Sequence, residues 1–185
     1  MNTNTEFIIE NNVLIKYNGN EEAVIIPDGV KSIGYRAFYD CKTIKSVVIP
    51  DSVITIGKSA FAHTSNLASV KLPSGLKTIG EQAFYHCKSL TSVVIPKGIK
   101  TISQYAFSSC TSLTSIEIPQ GLTKIDSFAF EDSTALISID LPSTLKEIGV
   151  CAFNGCTGLK LIKIPQDCKL GSSWNNLCRA QINFY

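Results

Sequence analysis

The sequence predicts a leucine-rich solenoid, a stack of short coils with a parallel β-sheet along its concave face. Three observations carry that prediction. Pro27, Pro50, Pro73, Pro96, Pro119, Pro142 and Pro165, all the prolines of the chain, stand 23 residues apart. Nearly every apolar residue keeps its own column when the chain is laid out in 23-residue rows, and only the two ends depart from the pattern. A period of this size marks a solenoid because one repeat cannot bury its apolar side chains alone, whereas stacked repeats can. The 185 residues are therefore read as a single solenoid domain: an N-terminal β-hairpin cap over 1–23, six repeats over 24–161, and a partial seventh repeat with a C-terminal cap over 162–185.

The cap comes first. Phe7-Ile8-Ile9 and Val13-Leu14-Ile15 flank Asn11-Asn12, a turn-forming pair, and read as a hairpin. Asn18-Gly19-Asn20 then turns the chain into the first coil. Each repeat opens with two apolar columns, Val24, Val47, Val70, Val93, Ile116, Ile139 and Ile162, then Ile26, Ile49, Leu72, Ile95, Ile118, Leu141 and Ile164. A spacing of two puts both on one face of a short strand. The proline that follows ends the strand, having no N–H for a ladder. Ile33, Ile56, Ile79, Ile102, Ile125 and Ile148 come next, mostly followed by Gly, and short strands with 3-10 or helical turns are expected on this side. An Ala-Phe pair closes each coil, from Ala37-Phe38 to Ala152-Phe153, and its rings should stack into an aromatic spine. After Pro165 the pattern fails, with Gly171 where the isoleucine column would continue. Trp174, Leu177 or Phe184 is expected to cover the last coil.

The rows from Ile49-Pro50 through Ile56-Gly57 to Ala60-Phe61, with their five counterparts, resemble the BspA-like (Treponema pallidum-type) leucine-rich repeats. Leu14 to Tyr17, Gly19 and Val24 to Pro27 resemble the N-terminal hairpin common in that group. The resemblance covers nearly the whole chain. It implies a leucine-rich repeat solenoid of the α/β horseshoe class, dominated by β-structure, with a parallel sheet on the inner face. It also implies a surface or secreted protein that binds host, matrix or bacterial proteins. Fold does not dictate function, so the resemblance speaks to a role class.

Specificity in a solenoid sits at variable positions inside the fixed frame. Between the two strand columns lies an outward-facing one: Ile25, Val48, Lys71, Val94, Glu117, Asp140 and Lys163. Val48 and Val94 flanking Lys71 suit a partner with an apolar anchor and an acidic group, although valine also favours strands for its own sake. A second column holds Lys31, Lys77, Lys100 and Lys146, which attract an acidic partner or simply keep an exposed strand soluble. Ser46, Ser69, Ser92, Ser115 and Ser138 precede each strand and are read as bonding backbone groups at the turn.

Other chemistry is sparsely represented. With 17 basic and 15 acidic residues the net charge is +2, and nothing in it suggests a dedicated nucleic-acid or polyanion binder. No apolar run approaches the roughly 18–20 residues of a membrane helix, and no signal peptide is visible. Glu117 and Asp140 lie on successive rows at a separation like that of glycosidase carboxylates, but an open sheet face would not desolvate them. Asp40, His63 and His86 share a column that would place two imidazoles near one ion, yet no fourth ligand stands with them. They are read as turn residues, and no metal or cofactor is expected. Cys41, Cys87, Cys110 and Cys156 share their column with Thr64 and Ser133, an interchange that argues for packing. Cys168 and Cys178 are the candidates for a cap-closing bridge. Mostly reduced cysteines fit a cytosolic or anaerobic setting as well as the surface location the resemblance implies. The leading reading is a monomeric, non-enzymatic interaction module of adhesive type, with a protein ligand on the concave column. A structural spacer and a carbohydrate-binding or carbohydrate-active protein are the alternatives.

Overall fold

The computed structural model of the chain describes residues 6–176 and 180–185. The N-terminal hairpin pairs Phe7–Glu10 antiparallel with Val13–Tyr17. Asn11 and Asn12 turn it with φ of 48° and 64°, a left-handed pair that asparagine tolerates better than most residues. Beyond the hairpin every strand pairing is parallel, coil upon coil.

Each coil carries two strand segments. Three-residue strands such as Ala23–Ile25, Ser46–Val48 and Ser69–Lys71 form the first ladder, with Val24, Val47 and Val70 in register. Two-residue strands such as Ser32–Ile33, Thr55–Ile56 and Thr78–Ile79 form the second. The isoleucines of the second ladder are 0–1% exposed from Ile33 to Ile148, so the core lies between the two ladders and the closing turn.

That turn is not helical. Among the described residues there is no 3-10 or α-helix, because each turn holds two residues at positive φ that no right-handed helix admits. Arg36 and Asp40, Ser59 and His63, Gln82 and His86, Tyr105 and Ser109, and Phe128 and Asp132 are such pairs. The left-handed residues alternate the direction of successive N–H groups. In the first turn Ala37, Tyr39 and Cys41 donate backward within the coil, to Gly34, Arg36 and Phe38. Arg36, Phe38 and Asp40 donate forward, to Lys58, Ala60 and Ala62 of the next coil. The turns therefore form a third hydrogen-bonded edge of the stack.

The Phe column stacks as its spacing predicts. Ring centroids are 4.8 Å apart for Phe38–Phe61, 5.2 Å for Phe61–Phe84, 5.3 Å for Phe84–Phe107, 5.8 Å for Phe107–Phe130 and 5.2 Å for Phe130–Phe153. All five pairs lie within 9° of parallel. Tyr17 closes the spine at one end, 5.2 Å from Phe38, and Trp174 meets Phe153 edge-on at 6.2 Å at the other.

The Cys column does more than pack. Thr64 Oγ1, Cys87 Sγ, Cys110 Sγ, Ser133 Oγ and Cys156 Sγ each donate to the carbonyl of a Phe one coil back, at 2.7–3.2 Å. A small donor is what this position requires, and Cys, Thr and Ser all supply one. The serines at the strand starts play no such part. Among the described residues the carbonyls there are bonded instead by Thr91 and Thr114, one position earlier.

The tail departs from two expectations. Leu170, not Gly171, takes the isoleucine column, pairing with Ile148, because the last coil is one residue shorter there. Phe184 does not cover the core; it lies 53% exposed on the strand Gln181–Phe184, which pairs with Leu161–Ile164. Leu177 and the bridge from Cys168 to Cys178 lie outside the described residues. Cys87 and Cys110, neighbours in the stack, are both free thiols.

Burial pushes the Cys87 thiol well up and the Cys110 thiol up to about 12. At pH 8 both are protonated, so a thiolate-selective alkylating reagent should spare them in the folded protein and modify them in denaturant. Labelling of either in the native state, read by mass spectrometry, contradicts their place in the core. Cys110→Ser keeps the donor to the Phe84 carbonyl and should unfold at nearly the native denaturant concentration. Cys110→Ala loses it and should cost about 1 kcal/mol more than the serine variant.

Candidate functional site

All seven residues of the outward column are exposed, from Ile25 (71%) through Val48 (40%) and Val94 (60%) to the charged residues. They follow from the strand geometry: the residues before and after point to the core, so the one between faces solvent. Lys71, Val94 and Glu117 are brought together. They line a groove of about 830 Å3 with Val70, Leu72, Ile95 and Ile118 as its apolar floor and Asp51 and Lys97 on its rim. Val48, Asp140 and Lys163 stay on the same face outside it. Three of the six column residues offered as a binding stripe thus share one site.

The groove opens where the stack is interrupted. The first ladder breaks between Ser69–Lys71 and Ser92–Val94, and the second between Thr78–Ile79 and Thr101–Ile102, at the same junction of two coils. On the turn side the junction stays closed: Phe84 N–H bonds Ala106 O at 2.9 Å and the two Phe rings remain stacked. Leu72 is left half-buried, whereas its counterparts Ile26 and Ile49 are buried. A second break, between Ser115–Glu117 and Ser138–Asp140, leaves Ile118 half-buried too.

The break in the second ladder has a local counterpart in the sequence. The residue after each second-ladder isoleucine is Gly34, Gly57, Gly80, Ser103, Asp126, Gly149 or, in the last coil, Gly171. Its N–H bonds the isoleucine or leucine carbonyl of the coil before, as in Gly57 to Ile33, Gly80 to Ile56 and Asp126 to Ile102, each at 2.8 Å. The coils approach so closely there that a Cβ on Gly80 would meet Gly57 C at 2.7 Å and a Cβ on Gly57 would meet Ile33 O at 2.8 Å. Ser103 breaks the series. Its hydroxyl, not its N–H, takes the Ile79 carbonyl, at 2.6 Å. Asp126 also carries a side chain, but a carboxylate cannot donate, so the backbone bond survives.

The lysine column is exposed and lies off the groove. Backbone bonds run through it, from Ile54 N–H to Lys31 O, from Lys77 N–H to Ile54 O and from Lys146 N–H to Thr123 O. Lys169, which the sequence reading omitted, continues it by bonding Lys146 O. Salt bridges lie elsewhere on the surface, among them Lys58–Glu81 at 2.6 Å and Lys45–Glu22 at 2.7 Å, and exposed pairs of this kind contribute little.

His63 and His86 are turn residues, with φ of 63° and 58°. Their rings stack at 4.9 Å within a ridge that also holds Tyr39, Tyr85, Tyr105 and Phe128. Partial burial, His63 and Lys88 hold the His86 imidazole below its ordinary value, against a weaker pull from Asp132. Asp40 is paired with Lys42 at 3.2 Å. Among the described residues no three His, Cys, Asp or Glu side chains are gathered as a metal ion would need. Nor is any helix there long and apolar enough to cross a membrane.

Sequence reasoning placed Lys71, Val94 and Glu117 correctly on the exposed face. It missed the floor of Leu72 and Ile118, which the repeat assigns to the core, and the rim residues Asp51 and Lys97. The repeat pattern marks none of them.

With this geometry in view, comparison with known proteins is specific. The BspA type leucine rich repeat region matches residues 8–110 and 77–179, in six copies, and the chain belongs to that family. No curated protein matches it. A leucine-rich repeat protein of T. pallidum is 30% identical, with a TM-score of 0.80 over 98% of this chain and 84% of that one. One from Eubacterium ventriosum is 25% identical, with a TM-score of 0.85 over the whole of this chain, which spans about half (52%) of its length.

Ser103→Gly should restore the bond from the position-103 N–H to Ile79 O and rejoin the second ladder. Amide hydrogen exchange at residue 103 should slow by about tenfold or more, as a solvent-facing N–H becomes a ladder donor. Unchanged exchange means that Ser103 is not what holds the junction open.

Proposed function

We propose that the protein is a non-enzymatic interaction module that binds a protein ligand through the face of three-residue strands, centred on the groove at Lys71, Val94 and Glu117. The observation that carries this reading is the junction where both ladders stop and an apolar floor is uncovered. Monomeric soluble proteins seldom expose a contiguous apolar patch without a use for it. The groove crosses several coils and is open along the stack, which suits a macromolecular segment better than an enclosed small molecule. Its rim charges favour specificity of encounter.

Membership of the leucine-rich repeat family supports an interaction module, and an adhesive role toward a host or bacterial surface protein is the setting proposed for it. Capped ends favour a monomer, since neither end of the spine offers a bare core to another copy. Glu117 and Asp140 both stand exposed on the open face. An acid–base pair needs one of them desolvated.

The test is capture of surface proteins from host-cell and bacterial extracts on the immobilised chain. A protein retained by the native chain should be lost, by tenfold or more, with the double variant Lys71→Glu, Val94→Asp, and kept with Lys146→Glu on the other ladder. Val94 is largely exposed, so the double variant should melt within a few degrees of the native protein. Equal retention by both variants removes the groove from the function.

A further inference from the structure

The groove is asymmetric in charge, and that asymmetry names the kind of segment it takes. Lys71, Val94 and Glu117 occupy the same column on three successive coils, so the groove runs from a cation through an apolar residue to an anion. Hydrogen-bonded rungs are about 5 Å apart and the step from Lys71 to Val94 is parted, which leaves the ammonium and the carboxylate roughly 10 Å or more from each other. At that distance they do not pair, and neither Lys71 nor Glu117 has an ion-pair partner among the described residues. Lys97 adds a second positive charge on the rim beside Val94, and Asp51 stands on the rim of the coil before Lys71. Between the poles the floor is Leu72, Ile95 and Ile118, with the half-buried Leu72 and Ile118 uncovered by the two ladder breaks.

We infer that the ligand segment is an extended peptide carrying an acidic, an apolar and a basic side chain at alternate positions, in that order along the groove from Lys71 to Glu117. This rests on the groove being the binding site. Alternate residues of an extended chain face one way. At about 3.3 Å per residue the acidic and basic side chains are then roughly 13 Å apart at their Cα atoms. The groove's poles are about 10 Å apart, and the flexible lysine stem closes the difference. The apolar side chain between them falls over Val94 and into the floor. Lys97, beside the middle position, strengthens the hold on the acidic residue. Asp51, one coil beyond Lys71, disfavours a longer acidic run and so sharpens the match to a single acid. The main-chain direction of the peptide in the groove then follows from whether its acidic residue precedes or follows its basic one.

The test uses two labelled peptides with blocked ends. One carries Asp, Leu and Lys separated by single glycines, and the other carries the same residues in an order that differs only in which side of Leu bears the acid. A peptide can enter a groove from either end, so each is fixed at its N-terminus to a spin label. Binding is read by fluorescence anisotropy, and peptide direction by paramagnetic broadening of the amides at residues 71 and 117. With the native chain the label of the Asp-first peptide should broaden residue 71 and that of the Lys-first peptide residue 117. In the double variant Lys71→Glu, Glu117→Lys both patterns should exchange ends. Replacing Asp by Asn and Lys by Gln in the peptide should weaken binding by several-fold and abolish the preference. Broadening at both ends in equal measure overturns the charge order, while binding that Val94→Asp still abolishes leaves the groove itself as the site. Failure of all charged and uncharged peptides to bind at millimolar concentration overturns the inference, and the capture experiment then decides the groove independently.

Discussion

Six phenylalanine rings stacked nearly parallel set the distance between coils, and the rest of the molecule conforms to that distance. Face-to-face offset stacking is favourable by about 0.5–1.5 kcal/mol per pair beyond the area it buries. Its spacing of roughly 5 Å coincides with the spacing of strands in a sheet. The same column that stacks its rings also presents its carbonyls inward, and the Thr, Cys and Ser one coil on donate to them. Side-chain stacking and backbone satisfaction thus reinforce one another at each step. Tyr17 and Trp174 end the spine with rings of their own, so the core is covered where the repeats stop.

A frame so regular makes its irregularities informative. The turn edge holds at every junction, because the residues in left-handed conformation send their N–H groups forward to the next coil. Holding several non-glycine residues there costs roughly 1–2 kcal/mol apiece, and only a repeated gain in coil-to-coil bonding offsets it. The strand edge is less constrained. At Ser103 a hydroxyl takes the acceptor that glycine leaves to the backbone, and the second ladder stops; the first ladder stops at the same junction and again between Ser115–Glu117 and Ser138–Asp140, where the second is unbroken. The stack is therefore closed along one side and parted along the other, and the parting uncovers Leu72 between Lys71 and Val94.

The period made most of this legible. Proline spacing located the strands, the residue two places before each proline is exposed as alternation requires, and the Phe column stacks as its register demanded. The Cys column was recognised as core, although its donor role showed only when the facing carbonyl was seen. What escaped was governed by backbone conformation rather than by pattern. Arg36, His63 and Phe128 have no sequence signature for positive φ, and so the turns read as helical. Leu170 escaped because a one-residue shortening shifts a column without altering its composition. Leu72 and Ile118 escaped because a repeat assigns burial by position, whereas both stand where the first ladder is interrupted.

The central claim is that function lies where the strand edge parts. Hydrogen exchange of the chain with and without its captured protein tests this most directly, since it reports every backbone amide at once. Slowed exchange is expected over residues 69–74, 92–97 and 117–119, with the turns around Asp40, His63, His86 and Ser109 unaltered. Protection confined to those turns, or to the lysine column from Lys31 to Lys146, would contradict it.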